Sequence, residues 1–241
     1  MINVLIYMRV ELEKRPKNPI IIEGFPGFGF VSTITTEFLI NHLKATQIGK
    51  IIMEEIPPVI AVQKGEIIEP IGIFYDKKYN LVILNAVASV NGYEWQIAKL
   101  VVDLAKALKA KEIVCVEGIG GPSEESNAYY LTNMEKNVAY IKKKTNLERL
   151  KDGIIMGVTG ALALHKSILT TSFFIETHTN LPDSRAAANA IGVLDKYLGL
   201  KLDPKPLIEQ AERFETKIKD LLEKSKSATE MKQNKELSYL G

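Results

Sequence analysis

Three glycine-rich segments and three histidines are the places where this chain could do chemistry. Glu23-Gly24-Phe25-Pro26-Gly27-Phe28-Gly29-Phe30 follows an apolar, β-branched run and opens a helical pattern. In that setting the free backbone N–H groups of a helix start can cradle an anion. The glycines do not fall as G-x-G-x-x-G, and no Lys-Ser/Thr follows where a Walker loop needs it. With Phe25, Phe28 and Phe30 between the glycines, three uses fit the segment: a tight structural turn, a contact with another subunit or a pocket, or a nucleotide or phosphate site. Glu117-Gly118-Ile119-Gly120-Gly121-Pro122-Ser123 and Gly153-Ile154-Ile155-Met156-Gly157-Val158-Thr159-Gly160 each follow a further strand-like run. Open parallel sheets bind ligands beyond the carboxyl ends of their strands, so these loops could line one crevice. They fit equally well as close-packed turns that need positive φ.

The histidines, His42, His165 and His178, are far apart, and none stands in H-E-x-x-H or beside a C-x-x-C. They make a poor metal set. Glu176, His178 and Asp183 are near enough in sequence for a carboxylate–imidazole cluster that could hold a metal or move protons, although a turn of paired polar groups explains them too. Ser32 and Ser167 lack the G-x-S-x-G elbow of a serine nucleophile. The one cysteine, Cys115, sits in a strand-like run and reads as an inert buried thiol. No catalytic, cofactor-binding or metal-binding residue is assigned.

Short β-branched runs and helical patterns must position these segments. Strands are expected near 2–8, 19–23, 59–63, 71–75, 81–87, 112–116, 138–141 and 171–176, and helices over 31–44, 94–109, 185–198 and 205–225. Ile97, Leu100, Val101, Leu104 and Leu108 form one stripe at helical spacing. Strand 81–87, this helix and strand 112–116 therefore read as a right-handed β-α-β crossover. Runs 81–87 and 112–116 alternate weakly, as interior strands covered by helices on both faces do. Pro182-Asp183-Ser184 offers a turn and a cap for the helix at 185. The expected fold class is α/β: a three-layer α/β/α sandwich over residues 1–204, with a charged helical extension over 205–241. In the extension, Leu207, Ala211, Phe214, Ile218 and Leu221 recur at steps of 4, 3, 4 and 3. That narrow seam suits docking on the core, pairing with another subunit, or a lone solvated helix. Residues 223–241 carry few anchors and read as a frayed helix or an arm.

Composition narrows the partners. Of 241 residues 46% are hydrophobic, Lys plus Arg total 31, Asp plus Glu 29, and the formal charge is +2. Such a balance supplies no field that draws the chain onto nucleic acid or anionic lipid. Lys142-Lys143-Lys144 reads as a solvated loop. No run approaches the roughly 20 apolar residues of a membrane span. Met1 to Arg9 lacks the features of a secretion signal, and one cysteine fits a reducing compartment. The expectation is a soluble, cytoplasmic protein.

Taken in order, Ile22-Glu23-Gly24-Phe25-Pro26-Gly27-Phe28-Gly29, Pro57-Pro58, Gly65 with Pro70, Glu117-Gly118, Gly157-Val158-Thr159-Gly160, Glu176-Thr177 and Pro182-Asp183-Ser184-Arg185-Ala186-Ala187 resemble the proteasome-assembly-chaperone family over about residues 17–212. The chain looks like an archaeal homologue with a long helical C-terminal extension. The resemblance implies an α/β/α fold similar to nucleoside phosphorylases, a non-enzymatic chaperone role without a cofactor, and a homo-oligomer that engages the α-subunit ring of the proteasome core. Some members end in a hydrophobic–Tyr–any-residue tail that docks between α subunits. Here the chain ends Leu237-Ser238-Tyr239-Leu240-Gly241, with Tyr239 third from the end. Leu237, Tyr239, Leu240 and the Gly241 carboxylate are the expected partner-binding groups. The rival expectation is a phosphorylase- or hydrolase-type enzyme that uses the Gly24–Gly29 and Gly118–Gly121 loops on a nucleoside or other small anionic substrate.

Overall fold

Ile21 and Ile22, neighbours on one strand, face opposite ways, and both are fully buried. The computed structural model describes residues 8–54, 60–63, 66–121, 126–177, 181–202, 208–209, 212–213 and 215–220. Its main sheet has nine strands: β1 (Met8–Leu12), β2 (Ile20–Gly24), β3 (Thr46–Met53), β6 (Ile71–Asp76), β7 (Leu81–Ala86), β8 (Glu112–Gly120), β9 (Ala128–Thr132), β10 (Glu148–Arg149) and β11 (Thr170–Thr177), in the spatial order β1-β3-β6-β7-β2-β8-β11-β9-β10. β4 (Ala61–Gln63) and β5 (Glu66–Ile68) form a separate antiparallel hairpin. The central four strands, β7-β2-β8-β11, are parallel.

Period-two alternation sorts the central side chains onto two buried faces. Ile21, Val82, Leu84, Ile113 and Cys115 pack under α2 (Glu94–Leu108) and α4 (Gly157–Ala163). Ile22, Ile83, Val114, Val116, Phe173 and Ile175 pack under α1 (Val31–Leu43), α3 (Val138–Thr145) and α5 (Ser184–Leu198). Both faces of the sheet are covered, which is why these strands read as continuous apolar runs. The three-layer α/β/α expectation holds, and helical residues 215–220 lie C-terminal to it. The crossover β7-α2-β8 forms as expected, with β2 inserted between its two strands. Among the described residues no helix is long and apolar enough to cross a membrane.

Three expectations are corrected. Residues 138–141 are the start of α3, not a strand. Only Ile141 and Thr145, four residues apart, are buried there, while Tyr140 is 46% exposed. A helical turn places one apolar residue inward where a strand would have buried two. Lys142-Lys143-Lys144 consequently form the exposed last turn of α3 rather than a loop. The glycine-rich stretch 153–160 does not follow a strand at 138–141, and from Gly157 onward it is helix α4. Strands β3 and β9, and α4 itself, lie where no element was expected. The expected strand at 2–8 falls almost wholly outside the described residues.

Candidate functional site

β2 ends Ile22-Glu23-Gly24, and β8, which lies beside it, carries the similar run Val116-Glu117-Gly118 two residues before its end. Glu23 pairs with Cys115, so Glu117, two residues further on, shares its face of the sheet. Above that face stands the first turn of α4, from which the Thr159 hydroxyl donates to Glu117 Oε2 at 3.0 Å and approaches Glu23 Oε2 at 3.5 Å. Glu23 is fully buried, and its Oε1 has no hydrogen-bond partner of ordinary geometry, although the Cys115 thiol and the Phe25 N–H lie near. Loss of water pushes its carboxyl up to about 8, and the neighbouring Glu117 charge adds to the rise. Glu117 is intermediate in exposure as a residue, but its carboxyl is enclosed. Burial raises that carboxyl to about 7 against the opposing hydrogen bond from Thr159 and the Phe28 N–H. Cys115 is buried in the middle of β8 and its thiol is pushed well up by the same desolvation.

The glycine loop closes over this pair. A Cβ on Gly118 would collide with the Phe28 carbonyl oxygen, so the loop backbone rests directly on β8. A Cβ on Gly27 would collide with the Glu117 carboxyl. These two close approaches are what glycine makes possible here. The loop then runs through a 3-10 turn at Phe28–Phe30, and Phe30 adopts left-handed backbone (φ 50°, ψ 24°) as it enters α1. The Ser32 hydroxyl donates back to the Phe25 carbonyl. Gly29 O accepts the Asp183 N–H at 2.9 Å. Asp183 itself caps α5 through the N–H groups of Arg185 and Ala186 and accepts the Thr177 hydroxyl at 2.6 Å.

On the other side of the loop lies helical segment 215–220. Ile218 is 9% exposed and packs with Ile34, Ala187 and Phe30. Glu215 Oε2 accepts the Ser184 N–H at 2.9 Å, at the start of α5. Burial pushes the Glu215 carboxyl up, but Lys219 and the Ser184 N–H outweigh it and hold the group below its ordinary range. Lys217 Nζ is 2.7 Å from Glu37 Oε1, whose second oxygen accepts from Asn85 Nδ2 at 3.0 Å. Segment 215–220 of the extension is therefore seated on the core.

The sequence-nominated residues fare differently. The three glycine segments do meet at the carboxyl ends of β2 and β8, through Phe28 on Gly118 and Thr159 on both glutamates. Phe25 is 3% exposed within the core, Phe30 faces the C-terminal helix, and Phe28 is half-buried. Glu176 and Asp183 make no common site: Glu176 takes the amide of Asn127 and the Tyr129 hydroxyl, while Asp183 serves α5. His178 lies outside the described residues, as do Leu237, Tyr239, Leu240 and Gly241. Among the described residues no group of three His, Cys, Asp or Glu could hold a metal ion. Sequence reasoning assigned nothing to Glu23, Glu117 as a pair, Thr159, Glu37, Glu215 or Lys217. The repeated Glu-Gly was the signal for the first pair.

These features define a three-layer α/β/α protein whose glycine loop joins a buried carboxyl pair to a docked C-terminal helix. The chain belongs to the PAC2 family, whose model matches residues 21–222. It is similar to Pyrococcus furiosus PbaA, described as an archaeal homolog of proteasome-assembly chaperone, at 28% identity, with 92% of this chain and 99% of that chain covered and a TM-score of 0.81. Pyrococcus furiosus PbaB, an archaeal proteasome activator, shares the fold at 22% identity, covering 89% of this chain and 98% of its own, with a TM-score of 0.72. An uncharacterized protein of Methanocaldococcus jannaschii is 28% identical over 214 residues, 86% of this chain and 87% of that protein.

Proposed function

We propose that this chain is a non-enzymatic, proteasome-binding chaperone that works as a cytoplasmic homo-oligomer and engages the α-subunit ring of the core through its C-terminal tails. The observation that carries this reading is the likeness to PbaA along nearly the whole of both chains. The geometry fits it. The core domain, taken as 1–204, offers a rigid platform, and contacts of Glu215, Lys217 and Ile218 anchor the extension to it. Beyond that anchor the chain continues to Leu237, Tyr239, Leu240 and the Gly241 carboxylate. Apolar groups and a terminal charge suit a hollow with a basic rim, and several tails on one oligomer raise affinity by linked binding.

The test is capture of purified proteasome core by the full chain and by a chain lacking 234–241. The full chain should retain the core, and the shortened one should lose about tenfold or more in affinity, since linked sites multiply each tail's contribution. Equal retention by both chains would rule out the tail. One observation favours a phosphorylase- or hydrolase-type enzyme instead, namely two raised carboxyls at the carboxyl ends of parallel strands. Against it, Glu23 is fully buried and the Phe28 backbone lies on the strand where a substrate would have to enter.

A further inference from the structure

A loop between a strand and a helix start, with glycines that bring its backbone close, is built to hold an oxyanion. In this chain the first turn of α1 has no side-chain cap, and Thr33 Oγ1 in that turn is buried without a partner. What lies against the loop is the carboxyl of Glu117, which presses on the Gly27 backbone, accepts from Thr159 and faces the Phe28 N–H. We infer that Glu117 is the resident ligand of the glycine loop: it fills from within the place an external oxyanion would take, and so holds the bed on which the C-terminal helix lies.

The path from Glu117 to the extension is short and made of direct contacts. Glu117 holds Gly27 and Phe28, and Phe28 O rests on Gly118 next to it. The next residue, Gly29, accepts from Asp183, which neighbours the Ser184 N–H that Glu215 takes. The residue after that, Phe30, packs on Ile218. Moving the loop therefore disturbs both the hydrophobic and the polar anchor of segment 215–220. Glu23, deeper and on the same face, meets Thr159 and the Phe25 N–H where the loop begins, whereas Gly27 and Phe28, further along it, meet Glu117. The loop-holding role of Glu117 does not depend on which partner the tail binds.

The test is amide hydrogen exchange on the full chain at one fixed pH of about 8, where the Glu117 carboxyl, raised to about 7, is ionised. Glu117→Ala leaves a carboxylate-sized gap lined by the Thr159 hydroxyl and the Phe28 N–H. Exchange should rise about tenfold at Phe28 to Phe30 and in parallel at 215–220, as local opening becomes easier. Sodium acetate should reverse both rises by refilling the gap, whereas sodium chloride at equal ionic strength should not, and wild type should ignore acetate. Glu117→Gln keeps the shape without the charge. It should loosen both segments to a lesser degree and show no acetate response, and it decides the matter should the alanine variant not fold. The inference fails if the alanine variant exchanges independently of acetate, or if in either variant the loop loosens while 215–220 keeps its wild-type protection.

Discussion

Glu23 is shut off from solvent that would stabilise a charge, and the Glu117 carboxyl above it adds repulsion when ionised. In the unfolded chain Glu23 releases its proton near pH 4.5, but in the folded chain it keeps it until about pH 8. Between those values the unfolded chain binds fewer protons, so stability falls as pH rises, by at most about 1.4 kcal/mol per pH unit. Stability from this group is full below 4.5 and spent above 8. Glu117, raised to about 7, adds a fall of the same sign. Glu23→Gln cannot ionise, so it should gain on wild type as pH rises. Its urea midpoint relative to wild type should climb between about pH 5 and about pH 8.5, equivalent to a gain of a few kcal/mol in unfolding free energy. A difference that stays constant across that range would mean Glu23 is not held protonated in the fold. The two Glu-Gly runs were plain in the sequence. Their pairing was not, because it depends on the register of two strands that are distant along the chain.

Helical periodicity located α1, α2 and α5 to within a residue or so, since each carries a broad buried stripe. It misread α3, because Val138-Ala139-Tyr140-Ile141 has strand-like composition and only a narrow buried face. It passed over α4, whose residues Gly157-Val158-Thr159-Gly160 are poor helix formers and owe their helix to packing on α2 and the sheet. The seam of the extension was legible as a seam but left open whether the core or another subunit covers it. Ile218, the seam residue within the described part, is covered by the core. Leu207, Ala211, Phe214 and Leu221 lie outside that part. Ile218→Ala should undo this docking at a cost of about 2 kcal/mol, near the low end for a buried isoleucine because the site is at the rim. Hydrogen exchange at 215–220 should quicken while the core strands β2, β7 and β8 keep their protection. Unchanged exchange at 215–220 would mean that Ile218 does not hold the segment.

At the scale of the whole molecule, the proposed function divides the extension into an anchor at 215–220 and a partner-binding end. Removing residues 208–241 uncovers Ile34 and Ala187, both fully buried, together with one side of Phe30. Losing that cover should lower core stability by about 1–3 kcal/mol. Removing only 234–241 leaves those contacts in place and should not move the urea midpoint. Comparing the two truncations separates the anchor from the proposed partner-binding end. If the shorter chain is as stable as wild type, the helix rides on the core without supporting it.

The sequence alone determined that this chain is an α/β/α protein with a helical extension. Apolar period and turn residues are local, and each element reports its own burial. Its glycine segments, read in order, also resembled the proteasome-assembly chaperones, and the chain proved to be a PAC2 family member. What only the tertiary structure decided is how those segments meet. β2 enters between β7 and β8, which sets Glu23 beside Glu117, lays the Phe28 carbonyl on Gly118 and brings Ile218 back to Phe30. Each of those contacts joins residues far apart along the chain. Burial and charge at such a junction belong to no single segment, so local pattern can mark the residues, as the repeated Glu-Gly does, but not their meeting.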